Sequence, residues 1–173
     1  GSEMCIRDSS VTCNSPSKAF NIAGLQIANI IAPDDDIRAR IDRAININEV
    51  CDVNPFGVEA LIAAYNEGEE WLSQLLAYLK GNDDFMWDFC HRNLPQFPLM
   101  RLEGTYLEWM DCKAIGLASA DLERRLIDEA GLWLNAGTMY GADGEGFMRW
   151  NIACPRSRLT EGLERFRQYV SSL

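Results

Sequence analysis

Asn14-Ser15-Pro16-Ser17-Lys18-Ala19-Phe20-Asn21-Ile22-Ala23-Gly24-Leu25-Gln26 decides how the rest of the chain is read. Lys18 follows two serines held apart by Pro16. An apolar run from Ile22 to Ile31, broken only by Gly24, Gln26 and Asn29, comes soon after. Apolar walls disfavour an ammonium ion, so a lysine set among them tends towards the free amine, a nucleophile. Such an amine condenses with carbonyl groups, and neighbouring serine hydroxyls can hydrogen-bond a phosphate. Pyridoxal phosphate, an aldehyde that also carries a phosphate, needs both. Taken without context, the same Ser-x-Ser-Lys pattern reads as a surface lysine in a serine-rich turn.

Three other stretches follow in order: Ala64-Tyr65-Asn66-Glu67-Gly68-Glu69-Glu70-Trp71-Leu72, Glu103-Gly104-Thr105-Tyr106-Leu107-Glu108-Trp109, and Gly146-Phe147-Met148-Arg149-Trp150-Asn151-Ile152-Ala153-Cys154-Pro155-Arg156. With Phe20–Gln26, they resemble the fold-type-I pyridoxal-phosphate enzymes of the class I/II aminotransferase superfamily. Within that superfamily they are most similar to the cystathionine β-lyase (PatB/MalY-like) branch. The resemblance runs from about Val11 to the C-terminus.

Phe147 to Ala153 alternates in the manner of a strand, with Met148, Trp150 and Ile152 on one side and Phe147, Arg149, Asn151 and Ala153 on the other. An arginine in mid-strand needs an anionic partner if it is buried. That partner is either a nearby Glu or Asp or the carboxylate of a ligand, which the guanidinium fork suits. Arg156 and Arg158 read as surface charges at the start of the last helix.

The resemblance implies an α/β protein: the C-terminal part of the PLP-dependent transferase fold, comprising the end of the large domain and an α+β small domain with an antiparallel sheet. It divides the chain into a foreign or disordered leader over 1–9, a remnant of the large domain over 10–68, a long connecting helix over 69–94 and the small domain over 95–173. It implies that Lys18 carries pyridoxal 5'-phosphate and removes the substrate's Cα proton. Ser15 and Ser17 would hold the phosphate, and Arg149 the α-carboxylate of an amino-acid substrate. The activity implied is C–S β-lysis of cystathionine or cysteine S-conjugates to thiol, pyruvate and ammonia. The alternatives are a class I/II aminotransferase and a non-catalytic assembly module that binds no cofactor. Many aminotransferases hold the phosphate with an arginine eight residues after the lysine. Gln26 stands there in this chain, which favours lysis. In the family, a further part of the large domain precedes the lysine and supplies most of the ring contacts, and the enzymes are typically homodimers. The chain alone is therefore expected to be inactive.

The composition agrees with an enzyme of this kind. Hydrophobic residues make up 47% of the 173 residues, enough for a core. The formal net charge of −10 opposes binding to nucleic acid or to an anionic membrane. No apolar run has transmembrane length and the N-terminus has no signal-peptide hydrophobic region, so a cytoplasmic protein is expected. The six cysteines, Cys5, Cys13, Cys51, Cys90, Cys112 and Cys154, have no Cys-x-x-Cys spacing and read as reduced core thiols. The single histidine, His91, excludes multi-histidine metal sites, and it suits the last turn of a helix.

Along the chain, Val11–Asn14 and Gln26–Ala32 read as strands. Asp34-Asp35-Asp36 opens a helix with a buried stripe of Ile37, Ile41 and Ile45. Asn54-Pro55 caps a second helix, with Val58, Leu61, Ile62 and Tyr65 on its apolar face, and Gly68 ends it. A long helix follows from Glu69, with a kink expected at Gly81-Asn82. Leu99–Glu103 and Tyr106–Cys112 read as a hairpin, Ala120–Ala130 as a helix capped by Ser119, and Leu132–Leu134 as a short strand. Gly137–Gly146 reads as an ordinary glycine-rich loop, since phosphate loops follow strands and open helices. The last helix starts after Pro155 and carries Leu159, Leu163, Phe166 and Val170.

Overall fold

The computed structural model describes residues 10–49 and 52–173. The leader expected over 1–9, with Cys5, and Cys51 lie outside the described residues. The chain divides into two units, one running up to Gln74 and the other from Leu75 to Leu173.

In the first unit, β1 (Thr12–Asn14) pairs antiparallel with β2 (Asn29–Ile31), with Cys13 opposite Ile30. β2 is shorter than the isoleucine run suggests, because Gln26 takes a left-handed conformation (φ 52°) that closes the 3₁₀ turn Ala23–Leu25. α1 (Asp35–Asn46) begins where the acidic triplet places it. The Asp34 side chain accepts from the Ile37 N–H at 2.8 Å, and Asp35 and Asp36 occupy the first turn. The isoleucine stripe is only half-buried, and α1 buries no residue fully.

α2 (Pro55–Glu67) starts with Asn54 accepting from the Phe56 N–H at 3.1 Å and ends at Gly68. Gly57 is its one buried residue. A Cβ there would lie 3.0 Å from the Leu25 carbonyl oxygen and 3.2 Å from Ile27 Cβ, so glycine lets α2 press against the chain that follows the lysine. Of the expected apolar face, Val58 and Leu61 are half-buried, while Ile62 and Tyr65 are exposed.

α3 (Glu69–Asn93) spans the division between the units and runs unbroken through Gly81-Asn82. Gly81-Asn82 does not interrupt the helix, and tertiary hydrogen bonds occupy Asn82. Its amide donates to the carbonyls of Ile152 (2.8 Å) and Cys154 (3.0 Å) and accepts from Arg156 Nε (2.8 Å). Leu79, Asp83, Met86 and Cys90 continue the same buried stripe at helical spacing.

In the second unit, β3 (Leu107–Asp111), β5 (Phe147–Asn151) and β4 (Asn135–Ala136) form an antiparallel sheet with β5 in the centre. Met110, Met148, Trp150 and Ile152 face the core, as the alternation requires. There they meet α4 (Ser119–Ala130) through Leu122 and Leu126, and α5 (Arg156–Ser171) through Leu159, Leu163 and Phe166. Tyr169 is buried as well, while Val170 is half-buried.

Three local expectations are corrected. Leu99–Glu103 forms no strand: only Pro98–Met100 bonds to β3, through Asp111 N to Pro98 O (2.9 Å) and Met100 N to Trp109 O (2.8 Å). The second short strand is Asn135–Ala136 rather than Leu132–Leu134. Gly131 (φ 60°) closes α4 and sends the Leu132 N–H back to Leu126 O at 2.9 Å, so Leu132 is used in the helix stop. Ser119 lies in the first turn of α4 behind the cap residue Ala118. The capping carboxylate comes from a distance: Glu145 Oε1 accepts from Ser119 N (2.8 Å) and Ser119 Oγ (3.0 Å). These bonds hold the Glu145 carboxyl below its ordinary pKa. The 137–146 segment thus folds as two 3₁₀ turns, Gly137–Tyr140 and Ala142–Gly144, strapped to α4.

Candidate active site

Lys18 lies in the first unit, on a turn built around Pro16, which is fully buried. The backbone closes this turn through Phe20 N to Pro16 O (2.9 Å) and Ile22 N to Ser17 O (3.1 Å). Ser15 Oγ donates to Ile27 O at 2.7 Å, accepts from Ser17 N at 3.2 Å and lies 2.8 Å from Ser17 Oγ. A hydroxyl has one proton to give, so Ser15 is committed to joining the two sides of the turn. The half-buried Ser17 hydroxyl is then the donor in its contact with Ser15 Oγ.

Side chains anchor the far end of the turn. The Phe20 ring stacks on Trp71 (5.9 Å between centroids) and meets Tyr65 edge-on (6.2 Å). Tyr65 Oη donates to Asn14 Oδ1 at 2.6 Å. A Cβ on Gly68 would lie 2.4 Å from the Phe20 ring, so Phe20 seats only over a glycine. Asn21 (φ 55°) and Gln26 (φ 52°) both hold left-handed conformations, a departure that costs non-glycine residues energy and clusters at functional sites.

The Lys18 side chain is exposed and enters no ion pair among the described residues. The described residues of this unit leave it exposed rather than set among the expected apolar walls. The chain's other two lysines are engaged. Lys80 pairs with Asp83 (3.2 Å) and with Asp84, and both hydrogen bonds raise its pKa. Lys113 lies 3.5 Å from Asp111 and 4.2 Å from the centre of the Phe147 ring.

Arg149 lies in the second unit, on the central strand, half-buried and on the side of the sheet away from the core. Its register neighbours are Trp109 on β3 and Asn135 on β4. Its Nη2 donates to Asn135 Oδ1 at 2.7 Å, and its guanidinium lies 4.4 Å from the centre of the Tyr140 ring. Trp109 meets that ring edge-on at 5.5 Å. No carboxylate pairs with Arg149 among the described residues, so the nearby Glu or Asp is not its partner. Trp109 stands in a quoted motif without a role, and Asn135 and Tyr140 were not singled out in the sequence, because strand pairing brings Asn135, and a 3₁₀ turn Tyr140, beside Arg149. Arg156 is also more than a surface charge: besides bonding Asn82, its guanidinium lies 4.5 Å from the centre of the Phe85 ring. His91 is exposed in the last turn of α3, as expected.

The described cysteines are free thiols. Burial pushes Cys90 and Cys112 up to about 12, so both stay protonated and inert at neutral pH. Cys154 is half-buried and also shifted upward by burial, while Cys13 is exposed rather than in a core. Glu108 on β3 is fully buried, and neither of its oxygens meets a donor. Burial, then the Asp83 carboxyl beside it, push its pKa up to about 8 against the opposing pull of Arg101 and Lys80. Holding its proton lets one carboxyl donate to the other.

The Lys18 turn belongs to the first unit and the Arg149 sheet to the second. The family model described as aminotransferase class I and II matches residues 5–166, and the chain belongs to that family. The match begins ahead of Val11, where the quoted motifs alone set the start. Among curated relatives, the chain is 41% identical over 164 residues to cystathionine beta-lyase PatB of Bacillus subtilis, covering 95% of this chain and 42% of that protein. It is 32% identical over 150 residues to protein MalY of Escherichia coli, covering 86% of this chain and 38% of that one. Among solved structures, cystalysin from Treponema denticola, which contains a pyridoxal 5'-phosphate cofactor, superposes with a TM-score of 0.92 at 31% identity. That match covers 98% of this chain and 43% of cystalysin. The chain therefore spans about two fifths of the length of the relatives it matches, and it has the fold of their C-terminal portion.

Proposed function

We propose that this chain carries the lysine and the carboxylate-binding arginine of a pyridoxal-phosphate-dependent C–S β-lyase. Its substrates are cystathionine or cysteine S-conjugates, and its products thiol, pyruvate and ammonia. The observation that supports this best is the Lys18 turn, where the one lysine without an ionic partner among the described residues follows two hydrogen-bonded serine hydroxyls, in a chain 41% identical to a cystathionine beta-lyase.

The residues fit the cofactor. Lys18 offers its aldehyde an amine that is unpaired among the described residues, and Ser17 a hydroxyl that can turn from Ser15 to its phosphate, while Ser15 acts by holding the turn closed. Bound pyridoxal phosphate supplies the electron-withdrawing ring that makes the substrate's Cα proton acidic. Lys18, released when the substrate takes its place, removes that proton as a general base. Arg149 binds the α-carboxylate and fixes the substrate's orientation. Departure of the thiolate from Cβ and hydrolysis by one water then balance the products. The reading places the reaction in the cytoplasm. It assigns 10–68 to the large domain, 69–94 to a connecting helix and 95–173 to the small domain, in a protein that acts as a homodimer with the contacts of a complete large domain. The 173-residue chain alone is expected to be inactive.

Aminotransfer is the second reading, favoured by the family to which the chain belongs. Product analysis separates the two. A complete enzyme bearing these residues should release pyruvate and thiol from a cysteine S-conjugate faster than it aminates any keto acid. Keto acid and aminated cofactor as the main products would establish aminotransfer instead. Lys18→Ala should abolish either reaction, whereas Arg149→Ala should act chiefly through KM.

A further inference from the structure

Two contacts fix the Arg149 guanidinium, and one edge of it is left out. Asn135 Oδ1 accepts from Nη2 at 2.7 Å. The Tyr140 ring lies against its face at 4.4 Å, itself backed by Trp109 at 5.5 Å. Nε is buried and meets no acceptor among the described residues. A guanidinium carries only donors, so the Asn135 amide must turn its oxygen to Arg149. Its nitrogen then points to Met139 Sδ, 3.8 Å away, in the same 3₁₀ turn that carries Tyr140.

We propose that Asn135 and Tyr140 are positioning residues that aim Arg149 so that a carboxylate is gripped end-on, by the two terminal nitrogens and not by the buried Nε edge. The proposal rests on the reading of Arg149 as the carboxylate receptor and adds how it is aimed. Residue chemistry explains the choice of asparagine. The neutral amide orients Nη2 through one charge-assisted hydrogen bond and leaves the positive charge unneutralised for the ligand. An aspartate of the same shape would form an internal ion pair and compete with the ligand. The aromatic face stiffens a side chain that otherwise has many rotamers, so less entropy is lost when the carboxylate binds.

The test uses the 173-residue chain without cofactor, so that no reaction intervenes, and S-methyl-L-cysteine as the probe. Arg149 side-chain resonances are followed by nitrogen-15 NMR, with the methyl signals of Met110 and Met148 reporting an intact core. In the unsubstituted chain the Arg149 Nε–H should exchange slowly, and the probe should shift the terminal nitrogens while leaving Nε almost unmoved. Asn135→Asp should weaken probe binding roughly tenfold or more, the scale of one hydrogen bond to a charged group. Asn135→Ala should speed Nε–H exchange with the core signals unchanged. Tyr140→Leu should weaken binding by about threefold, the scale of an exposed cation–π contact. Probe binding undiminished in Asn135→Asp, or a shift centred on Nε, would overturn the positioning role and leave Arg149 as the receptor. No response of Arg149 to the probe in the unsubstituted chain would remove the receptor reading and this inference with it.

Discussion

Up to Gln74, the residues around Lys18 bury Pro16, Ile27, Ala32 and Gly57, while Ile30, Ile31, Phe56, Ile62 and Trp71 stay exposed. From Leu75 on, Met86, Met110, Leu126, Met148, Leu163 and Phe166 are all sealed from solvent in one continuous core. The lysine is therefore held by turn geometry, through Ser15 to Ile27, Phe20 over Gly68 and two left-handed residues. The arginine is held by Asn135 on the neighbouring strand and Tyr140 on a 3₁₀ turn, over a sheet whose other face packs against the core. The contrast teaches that a loop braced by a few specific contacts and a sheet seated on a packed core are two different ways of fixing a side chain, and the first should open locally at lower cost.

The largest effect that would sharpen this contrast is in the core of the second unit. Phe166 is fully buried and meets both Phe97 and Trp150 edge-on. Phe166→Ala should cost about 3–5 kcal/mol, measured by denaturant unfolding followed through Trp150. A loss below about 1 kcal/mol would show that the core is not what holds the sheet.

Next comes a pH effect confined to the same unit. The Glu108 pKa is raised to about 8 in the fold, above its ordinary value of 4.5. Between those values the unfolded chain gives up this proton while the folded chain keeps it, so stability falls as pH rises. The slope is about 1.4 kcal/mol per pH unit at most. Unfolding measured from pH 5 to pH 8 should show this decline, and Glu108→Gln should flatten it. A slope unchanged in that variant would assign the pH dependence to other groups.

The smallest effect lies in the first unit. Phe20 is half-buried between Trp71 and Tyr65, so Phe20→Ala should cost about 1–2 kcal/mol of local stability. Hydrogen exchange should speed at the Ile22 amide and stay unchanged at Met148. Equal acceleration at both positions would erase the distinction between the two regions.

Most of the elements were legible because local signals and tertiary packing agree. Asp34 and Asn54 cap the helices they precede, Gly68 ends α2, and the alternation over Phe147–Ala153 sorts core from surface. Readings failed where a long-range partner decided the outcome. Asn82 continues a helix because carbonyls about seventy residues away use its amide, and Ser119 is capped by Glu145 rather than serving as the cap itself. Of the site, Lys18, Ser15, Ser17 and Arg149 stand out by residue type and motif. Asn135 and Tyr140 do not, because strand register and a 3₁₀ turn place them beside Arg149, and no local pattern encodes either. Glu108 reads as one more strand acid until the sheet turns it inward.

Reductive labelling tests the lysine assignment, on which the proposed function stands. The chain is incubated with pyridoxal phosphate, reduced with borohydride, digested and mapped. Lys80 and Lys113 are engaged with Asp83, Asp84 and Asp111, so the label should lie on the peptide containing Lys18. A label confined to Lys80 or Lys113, with Lys18 unmodified, would contradict the account.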